Sequence, residues 1–488
     1  MNILDEIDSA EQGSAAIQRT WSPQQEEVFR LCKDPSQGLL ISAVAGSGKT
    51  TTLIEAMKHS PGSTLFLAFN KAIAEDIKRK TFSGDVRTLN ALGHSIWARN
   101  KPKAKLESRK TMILLKALMK DSSRFNEFGY QMSRLIGLAK NQALGIYREV
   151  EAIDFISIID NYAFDIPFEI QEDIAYVCLE AFNQSNEDLE SFDFDDQLYM
   201  PIKWNWDFPK YHNAFVDEAQ DLSPIQHLIL GGLAATARIV AVGDRFQAIY
   251  GFRGASVHSM DELQEKFSLK ELPLSTTYRC GRAIVAEAQS FNPSIQACEG
   301  ALEGEVLQTH EDPQLFPQSL IMCRNNAPLF KAILRHVRAK EPCQVLSNFL
   351  DTFQSFVRGF KTTYTSDLRV KLDNWFDRES EVCKAKNQKG KLAGLVDRYE
   401  TVKLLSNEFK LTSEVIDLVK KLGTSNRGPI FSTIHKAKGL ENEKAYIIRP
   451  DLMPAFYATT EEAKQQEANL QYVAITRAKE QLIYGACL

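Results

Sequence analysis

Short apolar runs recur along the chain: GLLISAV at 38–44, STLFLAFN at 63–70, NAFVDEA at 213–219, RIVAVGD at 238–244, SLIMCRN at 319–325, GPIFSTI at 428–434, KAYIIRP at 444–450 and EQLIYGA at 480–486. Runs this short predict strands. The stretches between them space apolar residues as on a helix, with Ile73 and Ile77 one turn apart. Strand and helix patterns in alternation predict an α/β fold with parallel sheets and crossover helices. Two stretches break the rhythm. Residues 93–199 and 346–427 read as mainly helical, with a turn at Asn387–Gly390, and are expected as insertions into α/β domains. No internal repeat or low-complexity tract is visible.

A length of 488 residues implies at least two domains, because single cores seldom grow past about 250–300 residues. Hydrophobic content of 44% with 25% charged residues is that of a globular chain, and no run reaches the ~20 apolar residues of a membrane span. The acidic first residues lack a secretory signal, so an intracellular location is expected, cytoplasmic and nucleoid-associated if the source is prokaryotic or viral. Eight scattered cysteines without a CxxC pair predict free thiols rather than zinc ligands or a disulfide framework. A net charge of −5 means that any polyanion site must be local. KPKAKLESRK at 101–110 and KAKNQKGK at 384–391 are basic, whereas 149–196 is acidic; each also reads as a solvated face.

The run ISAVAGSGKTTTL carries the first chemistry. A strand, a loop with Gly46 and Gly48, and a helix starting at Lys49 place backbone N–H groups around an anion. Ala45, Gly46, Ser47, Gly48, Lys49, Thr50 and Thr51 would wrap the phosphates of a nucleoside triphosphate. Lys49 would meet the terminal phosphates, and Thr50 would offer its hydroxyl to Mg²⁺. Ala43 replaces the first glycine of the usual GxxxxGK[ST] pattern. Farther on, AFVDEAQD ends a strand in Asp217, a Mg²⁺ ligand by this reading, and Glu218, a base for an attacking water.

AVAGSGKT, VDEAQD, VGDRFQAIYGFRGA, TTYR, STIHKAKGLE and QYVAITRAKE stand in the order and approximate spacing of the UvrD/Rep/PcrA-like superfamily 1 DNA helicases, which this chain resembles from Trp21 onward. FLAFNKAIAEDI and FDFDDQLY look closest to the F-box-type branch, although the chain shows no F-box. The resemblance implies an α/β fold of two RecA-like P-loop domains with parallel sheets, each interrupted by a mainly helical insertion. The expected division is a flexible lead-in at 1–20, a first RecA-like domain at 21–92 and 200–270, its insertion at 93–199, a second RecA-like domain at 271–345 and 428–488, and a reduced insertion at 346–427. It further implies ATP as the nucleotide, with Gln25 reading adenine, Tyr278 stacking on it and Glu441 touching the ribose. Arg279 and Arg477 would reach the γ-phosphate from the second domain, and Gln247 would sense it.

The same resemblance implies a DNA track. Aromatic side chains suit a track because every base has a π-face, with each stack worth about 1–3 kcal/mol. Tyr250 and Phe252, with Arg253 beside them, are the first candidates. Phe69, Asn70, Lys71 and Asn90 follow on the first domain, and Thr433 and His435 on the second. The expected activity is a 3′-to-5′ ATP-driven motor on single-stranded DNA that unwinds duplex or tailed DNA, with no membrane partner, protein partners unknown, and the polarity drawn from the resemblance alone. An ATP-regulated DNA-binding scaffold without strand separation is the alternative.

Overall fold

The computed structural model describes residues 20–80, 84–119, 121–162, 164, 166–251, 254, 256–309 and 318–485. Two six-stranded parallel sheets organise it. The first contains β1 (Leu39–Ala43), β2 (Thr64–Ala68), β3 (Asp85–Thr88), β4 (Asn213–Val216), β5 (Arg238–Gly243) and β6 (Lys270–Leu274), in the order β3-β2-β4-β5-β1-β6. The second contains β7 (Glu305–Thr309), β8 (Leu320–Cys323), β9 (Gln344–Leu346), β10 (Ile430–Thr433), β11 (Asn442–Ile448) and β12 (Ala478–Gly485), in the order β7-β12-β11-β8-β10-β9. In register, Leu40 lies opposite Ala241 of β5 and Glu271 of β6.

Every strand expected from an apolar run is present, and all of them lie inside a sheet. Within these two sheets the four strands that the pattern missed, β3, β6, β7 and β9, are the outermost ones. The pairing of β6 with β1 also carries the first sheet through Leu274, past the division expected after residue 270.

Residues 89–203 form the helices Leu89–Asn100, Lys110–Leu118, Ser122–Asn141, Ala152–Asn161, Phe168–Glu187 and Asp196–Lys203, with a short parallel ladder between Lys105–Leu106 and Ser191–Phe192. This insertion has no separate core. Leu135, Phe155, Phe182 and Tyr199 share one apolar cluster with Leu65 of β2, Ala214 of β4 and Ala241 of β5. At its centre the fully buried Asp196 is held by Lys110 Nζ at 2.9 Å and Lys140 Nζ at 2.5 Å. Burying one carboxylate between two ammonium groups is tolerable because each charge finds a partner and further hydrogen bonds, such as Lys140 Nζ to Ser185 Oγ at 2.8 Å.

The second insertion comprises the helices Asn348–Gly359, Thr365–Ala385, Lys389–Ser406 and Thr412–Thr424. Leu368, Val402 and Val415 pack in one cluster with Ile321 of β8 and Phe431 of β10. The expected turn is there in part: Asn387 turns the chain at φ 53°, a left-handed angle that Asn tolerates better than most residues, but Lys389 and Gly390 already open the next helix. It touches the first insertion, where Gln388 Nε2 donates to Asp160 Oδ1 at 3.0 Å and Lys386 Nζ lies 3.4 Å from the centre of the Phe168 ring. The two sheet domains are joined as well, since Val44, Ala45 and Ile249 of the first pack with Ile284, Tyr472 and Val473 of the second.

Candidate active site

β1 delivers the chain to the phosphate loop, and two left-handed glycines turn it: Gly46 at φ 72° and Gly48 at φ 80°. Gly48 is the N-cap of the helix Lys49–His59, whose first N–H groups have no partner within the helix. Gly46 is required for a second reason. A Cβ there would lie 2.6 Å from both Arg279 Cβ and Thr277 Oγ1, so the segment from the second sheet domain rests directly on the loop. Tyr278 N donates to Gly46 O at 2.9 Å, and Ala45 N donates to Tyr472 Oη at 3.1 Å. Ala43, where the strict pattern has glycine, is the last residue of β1 and sits opposite Leu274, in extended backbone that alanine adopts freely.

Carboxylates close the first-domain side. Thr50 Oγ1 donates to Asp217 Oδ2 at 2.6 Å, and Glu218 N donates to Asp217 Oδ1 at 3.0 Å. Burial and the adjacent Glu218 push Asp217 above the usual carboxylate range. Burial would raise Glu218 too, but the charges of Lys49 and Lys438 and a hydrogen bond from Gln220 hold it below that range, leaving it ionised. Glu218 also takes a left-handed backbone, φ 54°, which turns the chain sharply at the strand end.

Two arginines enter from the other side. Arg477, 1% exposed, donates to the carbonyls of Val473 at 2.9 Å and Leu440 at 3.0 Å and to Thr476 Oγ1 at 3.1 Å. Burial and the neighbouring Arg279 pull its pKa down to about 9. Arg279 pairs with Glu441 at 2.6 Å, and Lys479 pairs with the same carboxylate at 2.8 Å. Glu441 is therefore tied to two cations of its own domain. Tyr278 is half exposed beside the loop.

Gln25 lies behind the loop with both ends of its amide engaged. Its Oε1 accepts from Ser22 N at 3.0 Å, and its Nε2 donates to Thr52 Oγ1 at 2.9 Å. Gln24 instead bonds Ser275, the residue that follows β6. Gln247 is buried and donates to Asp244 Oδ2 at 2.8 Å.

The residues present suit a nucleotide and its divalent cation. Ser47 Oγ, within the glycine loop, is buried with no protein partner, a polar atom that an anion's oxygen or a water would satisfy. Thr50 and Asp217 offer adjacent hard oxygens, the donor set Mg²⁺ takes when phosphates and water complete its shell.

Two functional side chains escaped the sequence reading. Lys438 crosses from the second domain to pair with Asp221 at 2.6 Å; its Nζ also donates to Gln247 O at 2.6 Å and lies 4.9 Å from the Tyr250 ring centre. Gln220 bonds Glu218 at 2.5 Å and accepts from Asp244 N at 3.0 Å. A Cβ on Gly243 would stand 2.6 Å from Gln220 Oε1, so that position needs glycine. Lys438 and Gln220 both lie inside the motifs STIHKAKGLE and VDEAQD, so the sequence carries a signal for them.

Of the track candidates, Phe69, Asn90 and Tyr250 line one cleft of about 160 Å³ whose floor includes Asp217 and Asp221. The rings of Phe69 and Tyr250 are parallel within 10° at 6.4 Å. Asn90 is fixed by bonds to Phe194 O at 2.8 Å and Gln197 Oε1 at 3.0 Å. Asn70 caps the helix Lys71–Lys80 by accepting from Ile73 N at 2.9 Å, and Lys71 is exposed. Thr433 is buried at the end of β10, and burial with the nearby Arg324 pulls His435 down to about 3, keeping it neutral. Phe252 and Arg253 lie outside the described residues.

A family model described as the UvrD/REP helicase N-terminal domain matches residues 21–268. An F-box DNA helicase protein 1 from Schizosaccharomyces pombe is 27% identical over 94% of this chain and 57% of its own length. An F-box DNA helicase 1 from Gallus gallus is 23% identical over 95% of this chain and 49% of its own length. An ATP-dependent DNA helicase PcrA from Leuconostoc citreum is 28% identical over 54% of this chain and 38% of its own length. The chain thus spans about half the length of the curated relatives it matches.

Proposed function

The chain belongs to the UvrD/REP helicase family, and from that premise we propose that it is an ATP-driven motor that moves 3′-to-5′ on single-stranded DNA and separates duplexes. The observation that carries this reading is the composite site. Lys49, Thr50, Asp217 and Glu218 stand on one sheet domain and Arg279 and Arg477 on the other, with Tyr278 N bonded to Gly46 O between them.

In this reading 21–92 and 200–274, which includes β6, form the ATP-binding domain, 275–345 and 428–488 its partner, and 93–199 and 346–427 the insertions. The phosphate loop holds the triphosphate, and Tyr278 and Gln25 favour adenine. Thr50 and Asp217 would hold Mg²⁺, which would supply charge that offsets the phosphate oxygens. Glu218, ionised, orients the attacking water and takes its proton. Arg279 and Arg477 meet the charge that develops on the γ-phosphate, a contribution of about 10³ to 10⁵ in rate for such a residue. Gln247, bridged to Glu218 through Asp244 and Gln220, reports the state of the nucleotide to the cleft lined by Phe69 and Tyr250.

The test is strand displacement on duplexes tailed at the 3′ end, at the 5′ end, or not at all. The expected result is ATP-dependent separation of the 3′-tailed duplex, lost in Lys49→Ala. ATP-responsive binding without separation on any of the three contradicts the motor and leaves the scaffold reading.

A further inference from the structure

The loop that joins β11 to the helix Glu461–Ile475 leaves the second sheet at its carboxyl edge, the edge at which β10 ends in Thr433. On it Phe456 is 75% exposed. The segment around it is firmly tied. Ala455 N donates to Glu467 Oε2 at 3.0 Å. Glu467, nearly buried, grips Arg324 at 2.8 Å and 3.1 Å. Arg324 in turn donates to Tyr457 Oη at 2.9 Å. A tight turn from Ala458 N to Ala455 O at 2.9 Å closes the segment. The residues on both sides of Phe456 are thus fixed to one ion pair while its ring projects into water, edge-on to Tyr457 at 5.4 Å. An apolar ring left exposed gains nothing for folding, whereas a pre-ordered one reduces the entropy cost of stacking on a ligand.

The surroundings say which ligand. A Cβ on Gly390 would stand 3.3 Å from the Tyr457 ring, so the lysine-rich turn abuts this loop. Lys384 and Lys389 are exposed there and Lys391 is half-buried. A flat apolar ring on a loop that abuts a lysine-rich segment is the combination that takes a base on its π-face and its phosphates on the cations. Arg324 also lies close enough to His435 to influence it, which puts the loop beside the Thr433–His435 segment.

We propose that Phe456 is a stacking platform for one base of single-stranded nucleic acid on the second sheet domain, with the neighbouring phosphates held by Lys389 and Lys391. This rests on the DNA-motor reading above and adds a contact that the motif residues do not contain. It also gives the 384–391 stretch a use.

The experiment is equilibrium binding of the full chain to a fluorescent oligo-dT strand and to an abasic strand of equal length. Wild type, Phe456→Ala, Phe456→Trp and the Lys389→Ala/Lys391→Ala double variant are compared. Phe456→Ala is expected to weaken dT binding about tenfold and Phe456→Trp to restore it to within about twofold. On the abasic strand wild type and Phe456→Ala should bind alike. The lysine variant should make the dependence of log affinity on log salt shallower by about one unit. Thermal unfolding of the variants checks that the fold is kept.

Phe456→Ala binding dT to within about twofold of wild type overturns the proposal while leaving the motor reading intact, and so does an equal loss on the abasic strand. Unchanged dT affinity with altered self-association assigns the ring to a protein contact and overturns it too. A wild-type chain that binds neither strand removes both readings.

Discussion

Arg477 is a guanidinium taken out of water and surrounded by carbonyls and a hydroxyl, and among the described ion pairs none holds it. A cation in that setting is costly unless an anion joins it, which is why it belongs opposite the phosphate loop. Its residue type and motif were legible in the sequence; its burial was not, because a motif names a residue without saying what covers it. The same limit hid Lys438 and Gln220, whose partners Asp221 and Asp244 are distant in the chain or reached only through the fold. His227 shows how such placement sets pH dependence. It is buried, its Nε2 lies 2.8 Å from Ser259 Oγ, and burial pulls its pKa from 6.5 to about 4. A depressed histidine stabilises the fold fully above the unfolded value and loses that contribution as pH falls through the folded one. The loss should reach about 2 kcal/mol by about pH 5. Chemical denaturation of wild type and His227→Gln at about pH 7 and about pH 5 checks it. The drop should shrink in the variant, and an equal drop in both proteins would show that His227 is not its source.

At the level of elements, the interior strands were legible because each is apolar on both faces, as in TLFLA and LIMC. The edge strands were not. β6, KELPL, alternates exposed and buried positions and carries a proline, and β7, EVLQT, has no fully buried residue. Both are ordinary for a strand with one side open, and both look like loop in a one-dimensional pattern. The helical insertions were visible by the absence of strands, but the continuity of their cores with the sheets could not be read from spacing. The element contact of greatest consequence is the one made by Lys438, which follows the short helix Ile434–Ala437, with the 3-10 turn Ala219–Asp221. One ammonium there meets the carboxylate of Asp221, beside Glu218, and the ring of Tyr250 in the cleft, so the proposed motor would use it to link ATP to track. Lys438→Met should therefore cut DNA-stimulated ATP hydrolysis much more than basal hydrolysis. Adding Asp221→Asn should recover part of any lost stability, since removing one partner alone strands a buried charge at a cost of about 3–5 kcal/mol. ATPase rates with and without DNA, alongside denaturation midpoints of the single and double variants, check both. A uniform fall in both rates would confine Lys438 to the chemistry.

For the whole molecule, the net charge of −5 gives no hint of a polyanion partner, and the three-dimensional arrangement explains why. Acidic residues gather on the first insertion, including the exposed Glu169, Glu172 and Asp173 of the helix Phe168–Glu187, while candidate nucleic-acid contacts lie at strand ends and on the lysine turn of the second insertion. The order of motifs gave the two-domain plan, and the loop-to-loop bonds between Gly46 and Tyr278 and between Ala45 and Tyr472 give it a mechanism. In the proposed reading each domain supplies half of one triphosphate site, so nucleotide state and relative domain position are expected to change together. The most direct measurement is steady-state ATP hydrolysis by wild type and Arg477→Lys, each with and without single-stranded DNA. Hydrolysis stimulated by DNA in wild type, and reduced by about 10³ or more in the lysine variant, is the predicted result, because a lysine cannot reproduce the planar fork of donors. A wild-type rate indifferent to DNA, or a lysine variant that hydrolyses ATP as fast as the parent, would contradict the shared site.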